Sequence, residues 1–156
     1  MRFMIIVKAN EQTEAGVMPE EQRIAEMATF HEELARAGLL IDASGLKPSS
    51  NGWRIHYEGA QPTLVDGPFP ETKELIAGYT IIKAKSREEA IAWSRRFPNP
   101  AGRGMPATIE VRQLFEVEDF EPSHAVDRFK ALQACGIADS RSAKAVAQPK
   151  TRRRRA

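Results

Sequence analysis

The side chains of this sequence whose types and spacing could do chemistry are one histidine, one aspartate and a short charged run that follows the aspartate. His31 shares a helical stripe with Ile24, Met27 and Leu34, so its imidazole should point between that helix and whatever the helix packs against. A ring held there needs a hydrogen-bond partner. It reads either as a general acid or base, because an unperturbed histidine titrates near pH ~6.5, or as a packed histidine bonded to a backbone carbonyl. Asp66 precedes Gly67-Pro68 at the end of an apolar run. An aspartate there fixes a turn through backbone hydrogen bonds, and the same carboxylate could orient His31 and stabilise its protonated form. Glu71, Lys73 and Glu74 follow closely. Lys73 can pair with either acid for at most about 1 kcal/mol, which leaves room for a second use of the run in ligand binding, with Lys73 presented to a small anionic metabolite and Glu71 as a further ligand-binding candidate. Arg112 is a further candidate anion contact.

The remaining pattern gives little else. His31, His56 and His124 have no paired spacing such as i, i+4, and Cys135 is the lone cysteine, so no metal site, no cofactor and no internal disulfide are expected. No glycine-rich phosphate loop and no Gly-x-Ser-x-Gly elbow is present, and Gly102-Arg103-Gly104 reads as a loop.

The elements that must position these residues follow from periodicity. Phe3 to Lys8 is a strand. Pro19 is placed as the first residue of a helix over 19–37, with Glu20 and Glu21 at its positive end and Gly38 just beyond its close. Leu39-Leu40-Ile41 begins a second strand, ended by the turn-rich 47–52. Trp53, Ile55 and Tyr57 alternate with Arg54, His56 and Glu58, and with Pro62 to Asp66 they predict a hairpin. Gly78 to Ala84 is a strand. Ser86 with Glu89 is a reciprocal capping pair opening a helix that Pro98 and Pro100 end. Alternation from Thr108 to Val117 predicts a long last strand.

The order is β-α-β, hairpin, β-α-β: an α+β, ferredoxin-like split βαβ with an inserted hairpin. Two helices cover one face of such a sheet, yet Ile5 beside Ile6, Leu64 beside Val65 and Ile81 beside Ile82 put apolar side chains on both faces. The second face is expected to be covered by a second copy, in a homodimer.

The segment Val65-Asp66-Gly67-Pro68-Phe69-Pro70-Glu71-Thr72-Lys73-Glu74, followed by Gly78-Tyr79, resembles the signature of the YCII-related, DGPF-motif family, whose usual form has alanine where this chain has Pro70. Ala37-Gly38-Leu39, Gly45-Leu46-Lys47-Pro48, Glu110-Val111-Arg112 and Glu118-Asp119-Phe120 extend the resemblance over about residues 1–120. It implies a dimeric α/β-barrel-like assembly, a pocket with a histidine and an aspartate, and genomic company with extracytoplasmic-function sigma factors. Similar dimeric folds host isomerase-, monooxygenase- and dehalogenase-like chemistry, so fold alone does not choose a reaction. The expected function is a small-ligand-binding protein or enzyme with its pocket between the first helix and the sheet. The alternative is a non-catalytic regulatory protein that works with a sigma factor.

The 156 residues suit one domain, expected over 1–120, and a tail over 121–156. The tail holds nine Lys/Arg and three Asp/Glu, a net of +6, so with +2 overall the first 120 residues carry −4. His124 to Gln133 has the spacing of a short helix, and disorder is expected from about 138. Arg152 to Arg155 attract nucleic acid without selectivity, but the tail after Phe129 has no aromatic residue to stack on bases, so a nucleic-acid function is not expected. No run approaches the roughly eighteen apolar residues of a membrane span, and the N-terminus lacks the pattern of a signal peptide. A soluble cytoplasmic protein is expected.

Overall fold

The structure, a computed structural model, describes residues 1–59 and 61–134. The expected disorder from 138, the thiol of Cys135 and the Arg152 to Arg155 block lie outside the described residues. The chain divides into two compact units, 1–114 and 115–156.

In the first unit the elements run β1 (Arg2–Lys8), α1 (Glu11–Glu14), α2 (Glu21–Arg36), β2 (Leu40–Gly45), β3 (Trp53–Glu58), β4 (Gln61–Asp66), β5 (Ile76–Lys83), α3 (Arg87–Ser94) and β6 (Ile109–Gln113). Four strands form one sheet in the order β2-β5-β1-β6, and every neighbouring pair is antiparallel. Each βαβ unit, β1-α2-β2 and β5-α3-β6, therefore has a strand of the other unit between its own two strands, which is the split arrangement. Strands β3 and β4 form a separate two-stranded sheet inserted between β2 and β5.

The pleat explains which residues are buried. Phe3 and Ile5 on β1 and Ile82 on β5 point to the face on which Phe30 and Leu34 of α2 and Ala90 of α3 pack, with Trp93, Phe97 and Ile109 at the margin. Ile5, Leu34 and Ile82 are wholly buried. Both helices lie on this one face. The rings of Phe30 and Phe97 meet edge to face at 5.2 Å, joining α2 to the segment that follows α3.

Helix ends are set by local hydrogen bonds. Gly38, with φ of 70°, takes the left-handed conformation after α2, so that its N–H reaches the carbonyl of Ala35 and that of Leu39 reaches Leu34. At the other end Glu20, in extended conformation, is the cap and Pro19 stands outside the helix. The expectation of Pro19 as first helical residue is corrected by two positions, because its fixed φ suits the approach to a helix as well as its first turn. Between β1 and α2 lies α1, opened by a reciprocal box in which Asn10 and Thr13 bond each other's backbone N–H at 2.9 Å. Ser86 caps α3 as expected, accepting from the Glu89 N–H at 3.2 Å, but the Glu89 carboxylate reaches back to the N–H of Lys85. The last strand ends at Gln113, short of the expected Val117.

In the second unit, Val117–Asp119 form a 3-10 turn in which the Glu116 N–H donates to Asp119 Oδ2 at 2.7 Å. That capping chemistry overrides the alternation read from the sequence. Helix α4 (His124–Ala134) follows, its first turn capped by Ser123. Among the described residues no helix is long and apolar enough to cross a membrane.

Candidate functional site

A cleft of about 500 Å³ lies between α2 and the sheet. One wall is the stripe Arg23, Ile24, Met27, Ala28 and His31 on α2; the other is the stretch of β2 and β5 where Ala43 to Gly45 run beside Ala77 to Thr80; the Phe97 to Pro100 loop closes a side. Small residues on the strands make the space. Gly78 faces Gly45 across the ladder, and a Cβ at Gly78 would lie 2.9 Å from the Ser44 carbonyl oxygen.

His31 Nε2 lies 2.9 Å from Thr80 Oγ1. Thr80 is the buried polar residue of the β5 face, and this bond satisfies its hydroxyl. Burial of the imidazole pushes its pKa below the usual histidine value of 6.5. The ring is therefore neutral at neutral pH, with one nitrogen a donor and the other an acceptor. A threonine hydroxyl can rotate to donate or accept, so Thr80 can follow whichever proton state the ring takes. The partner is a side-chain hydroxyl, where the packed reading expected a backbone carbonyl.

Arg23 is the residue that sequence reasoning missed. Its Nε is buried and finds no acceptor among the described residues, an arrangement that costs about 1–3 kcal/mol for an unsatisfied donor. Its stem lies near the loop after α3, where a Cβ on Gly102 would be 3.9 Å from Arg23 Cδ. Among the described residues no aspartate or glutamate lines the cleft. A signal was present: Arg23, Met27 and His31 are spaced i, i+4, i+8, and Met27 belongs to the stripe already used to place His31.

The other sequence candidates lie elsewhere. Asp66 ends β4, exposed, opposite Trp53 in the hairpin. The structure does not bring it to His31, because it belongs to the inserted ribbon, whose end is tied by the Gly67 N–H to the Gly52 carbonyl at 3.0 Å. Glu71 pairs with Arg54 at 3.2 Å, and the Arg54 guanidinium sits 4.0 Å over the Phe69 ring. The pairing expected between Lys73 and Glu71 is thus replaced by a stacked Arg54, and Lys73 stands exposed in the 3-10 turn Thr72–Glu74. Arg112, on β6, has its Nε 3.9 Å from Glu110 Oε1 and also lies outside the cleft lining. His56 and His124 are exposed.

The Asp66 to Glu71 segment does structural work. The Phe69 N–H donates to Ser49 Oγ at 3.0 Å, while the Ser49 hydroxyl and N–H both donate to the Glu14 carboxylate. The hairpin end, the turn at Ser49 and α1 are thereby joined.

Fold and cleft together define an α+β protein with a ligand-sized space on the helix-covered face of an antiparallel sheet. The chain belongs to the YCII-related domain family, whose profile matches residues 1–118. An uncharacterised protein of Rhizobium meliloti (strain 1021) is 27% identical over 103 residues, covering 65% of this chain and 82% of that protein. Among solved structures, 5-chloro-2-hydroxyhydroquinone dehydrochlorinase (TftG) from Burkholderia phenoliruptrix AC1100, in complex with 2,5-dihydroxybenzoquinone, is 14% identical with a TM-score of 0.38. The likeness covers 78% of this chain and all of that one.

Proposed function

We propose that the chain binds a small organic molecule in the cleft between α2 and the sheet and that His31 exchanges a proton with it, acting as a general base. The observation that carries this reading is the His31–Thr80 bond at 2.9 Å inside a cleft of about 500 Å³, a volume in the range of small-molecule sites. With the ring hydrogen on Nε2 and donated to Thr80 Oγ1, Nδ1 is the nitrogen that can take a proton from a ligand. Thr80 accepts from Nε2–H in both the neutral and the cationic state, so Thr80 is a positioning residue and His31 the group that meets substrate.

The test is a thermal-shift screen of small metabolites on wild type beside His31→Ala and Thr80→Val. Compounds that raise the wild-type midpoint should lose most of that effect in His31→Ala. If no compound stabilises the wild type, or if His31→Ala responds equally, the reading fails.

The working form in this proposal is a homodimer. Supporting it, α2 and α3 pack on one sheet face, while Met4, Ile6 and Ile81 point to the other by strand alternation.

A further inference from the structure

We propose that the cleft selects a small carboxylate with an apolar body, and that Arg23 is the residue that holds the carboxylate. The inference rests on the reading of the cleft as a ligand site and adds the charge and polarity of what enters it.

Three independent observations converge. Arg23 lines the cleft, and its Nε is shut away from solvent without an acceptor among the described residues. Among the described residues the lining contains no carboxylate to neutralise it, so the fixed charge they give this wall is positive. Arg23 also lies in the first turn of the 16-residue α2, where the helix dipole is already positive and a cation is unfavourable. A guanidinium placed there against local preference, with its Nε left without an acceptor among the described residues, is matched by an anion from outside the chain. A carboxylate fits the edge of the planar fork formed by Nε and one terminal nitrogen through two parallel hydrogen bonds, and so supplies the acceptor that Nε lacks.

The rest of the molecule is set by what lies between the two polar groups. Arg23 and His31 are eight residues apart, about 12 Å of helix rise, and Ile24, Met27 and Ala28 occupy the wall between them. Phe97 and Pro98 face them from the loop. The body that spans this distance is therefore apolar, with its carboxylate toward the N-terminal end of α2 and its reactive end toward His31.

The experiment titrates biphenyl-4-carboxylate, whose two rings give the length the cleft asks for, and its neutral isostere biphenyl-4-carboxamide into the full chain, following the imidazole resonances of His31 and the Arg23 Nε–H resonance by NMR. Wild type should bind the carboxylate at least about tenfold more tightly than the amide, with both resonances moving. Arg23→Gln should abolish the preference, and His31→Gln should keep it. If the amide shifts His31 as strongly as the carboxylate, or if Arg23→Gln retains the preference, carboxylate selection by Arg23 is overturned while the ligand site survives. If neither compound moves either resonance at millimolar concentration, the ligand site and its charge preference fall together.

Discussion

Gly67 has no room for a side chain beside Ser49: a Cβ at this position would lie 1.9 Å from the Ser49 carbonyl oxygen and 2.7 Å from its carbonyl carbon. The glycine of the family motif is thus required by close backbone approach, at the place where the hairpin returns to the turn that Glu14 and Phe69 also engage. Gly67→Ala should destabilise the fold by about 1–3 kcal/mol, because backbone on both sides must yield. Gly52→Ala is the matched control. Its φ is −125° and the nearest atom to an added Cβ is 3.6 Å away, so it should be neutral or stabilise by up to about 1 kcal/mol. Urea unfolding of the two variants should give opposite signs, and equal effects would contradict this account of the motif.

Acid should weaken the protein through His31. Its folded-state pKa lies below 6.5 because burial disfavours the charged ring, so as pH falls the unfolded chain takes up this proton first. The contribution is fully present above the unfolded value and is lost as pH falls through the folded one. Urea midpoints measured from neutral pH down to about pH 5 should decline, and His31→Gln should flatten part of that decline. Superimposable pH profiles for the two proteins would rule this contribution out.

Much of this was legible in the sequence, and the failures have identifiable causes. The strand at Phe3 and the helix carrying His31 were readable because period-2 and period-3.6 apolar patterns coincide with real burial at Phe3, Ile5 and Leu34, although the stripe read on the helix left out the buried Phe30 and began at Ile24, which is exposed. Asp66 and Glu71 lie outside the cleft lining, Asp66 exposed at the end of the inserted hairpin and Glu71 paired with Arg54, which stacks on Phe69; a motif read along the chain says which residues stand together but not which face of the fold they reach. Arg23 escaped notice because arginine near a helix start, following Glu20 and Glu21, resembles a solvated charged turn. The loop after α3, whose position depends on contacts distant in sequence, comes close to its stem, and the Nε is buried in the fold. The expected last strand was too long because alternation at Phe115 and Val117 cannot reveal the Glu116–Asp119 box that turns the chain.

Arg23→Met should leave the fold as stable as wild type or raise its melting temperature. The substitution keeps an unbranched apolar stem, removes a donor that has no acceptor among the described residues, and takes a cation away from the positive end of α2. Calorimetry without added ligand checks this. A loss of more than about 1 kcal/mol would mean that the guanidinium is held by the fold itself, since unpaired polar groups do not stabilise when buried.

The proposed pairing of two copies rests on the sheet face that the helices leave open. Met4 pairs directly with Ile81 across β1 and β5, and Ile6 lies two residues further along the same face. Glu110 brackets this row, 3.8 Å from Lys8 and 3.9 Å from Arg112. A central apolar row with charged residues around it has the composition of a two-fold contact, apolar within and polar at the rim. Sedimentation equilibrium at micromolar concentration should therefore give twice the chain mass of 17.4 kDa. Ile81→Lys should shift the protein to the single chain mass, because a lysine in the middle of the row puts an unpaired charge into the contact. The hairpin offers the competing surface, since Trp53, Ile55 and Leu64 are all exposed there, and Ile55→Lys probes it. If Ile55→Lys dissociates the dimer and Ile81→Lys does not, the two copies meet through the hairpin; a monomeric wild type would refute the pairing altogether.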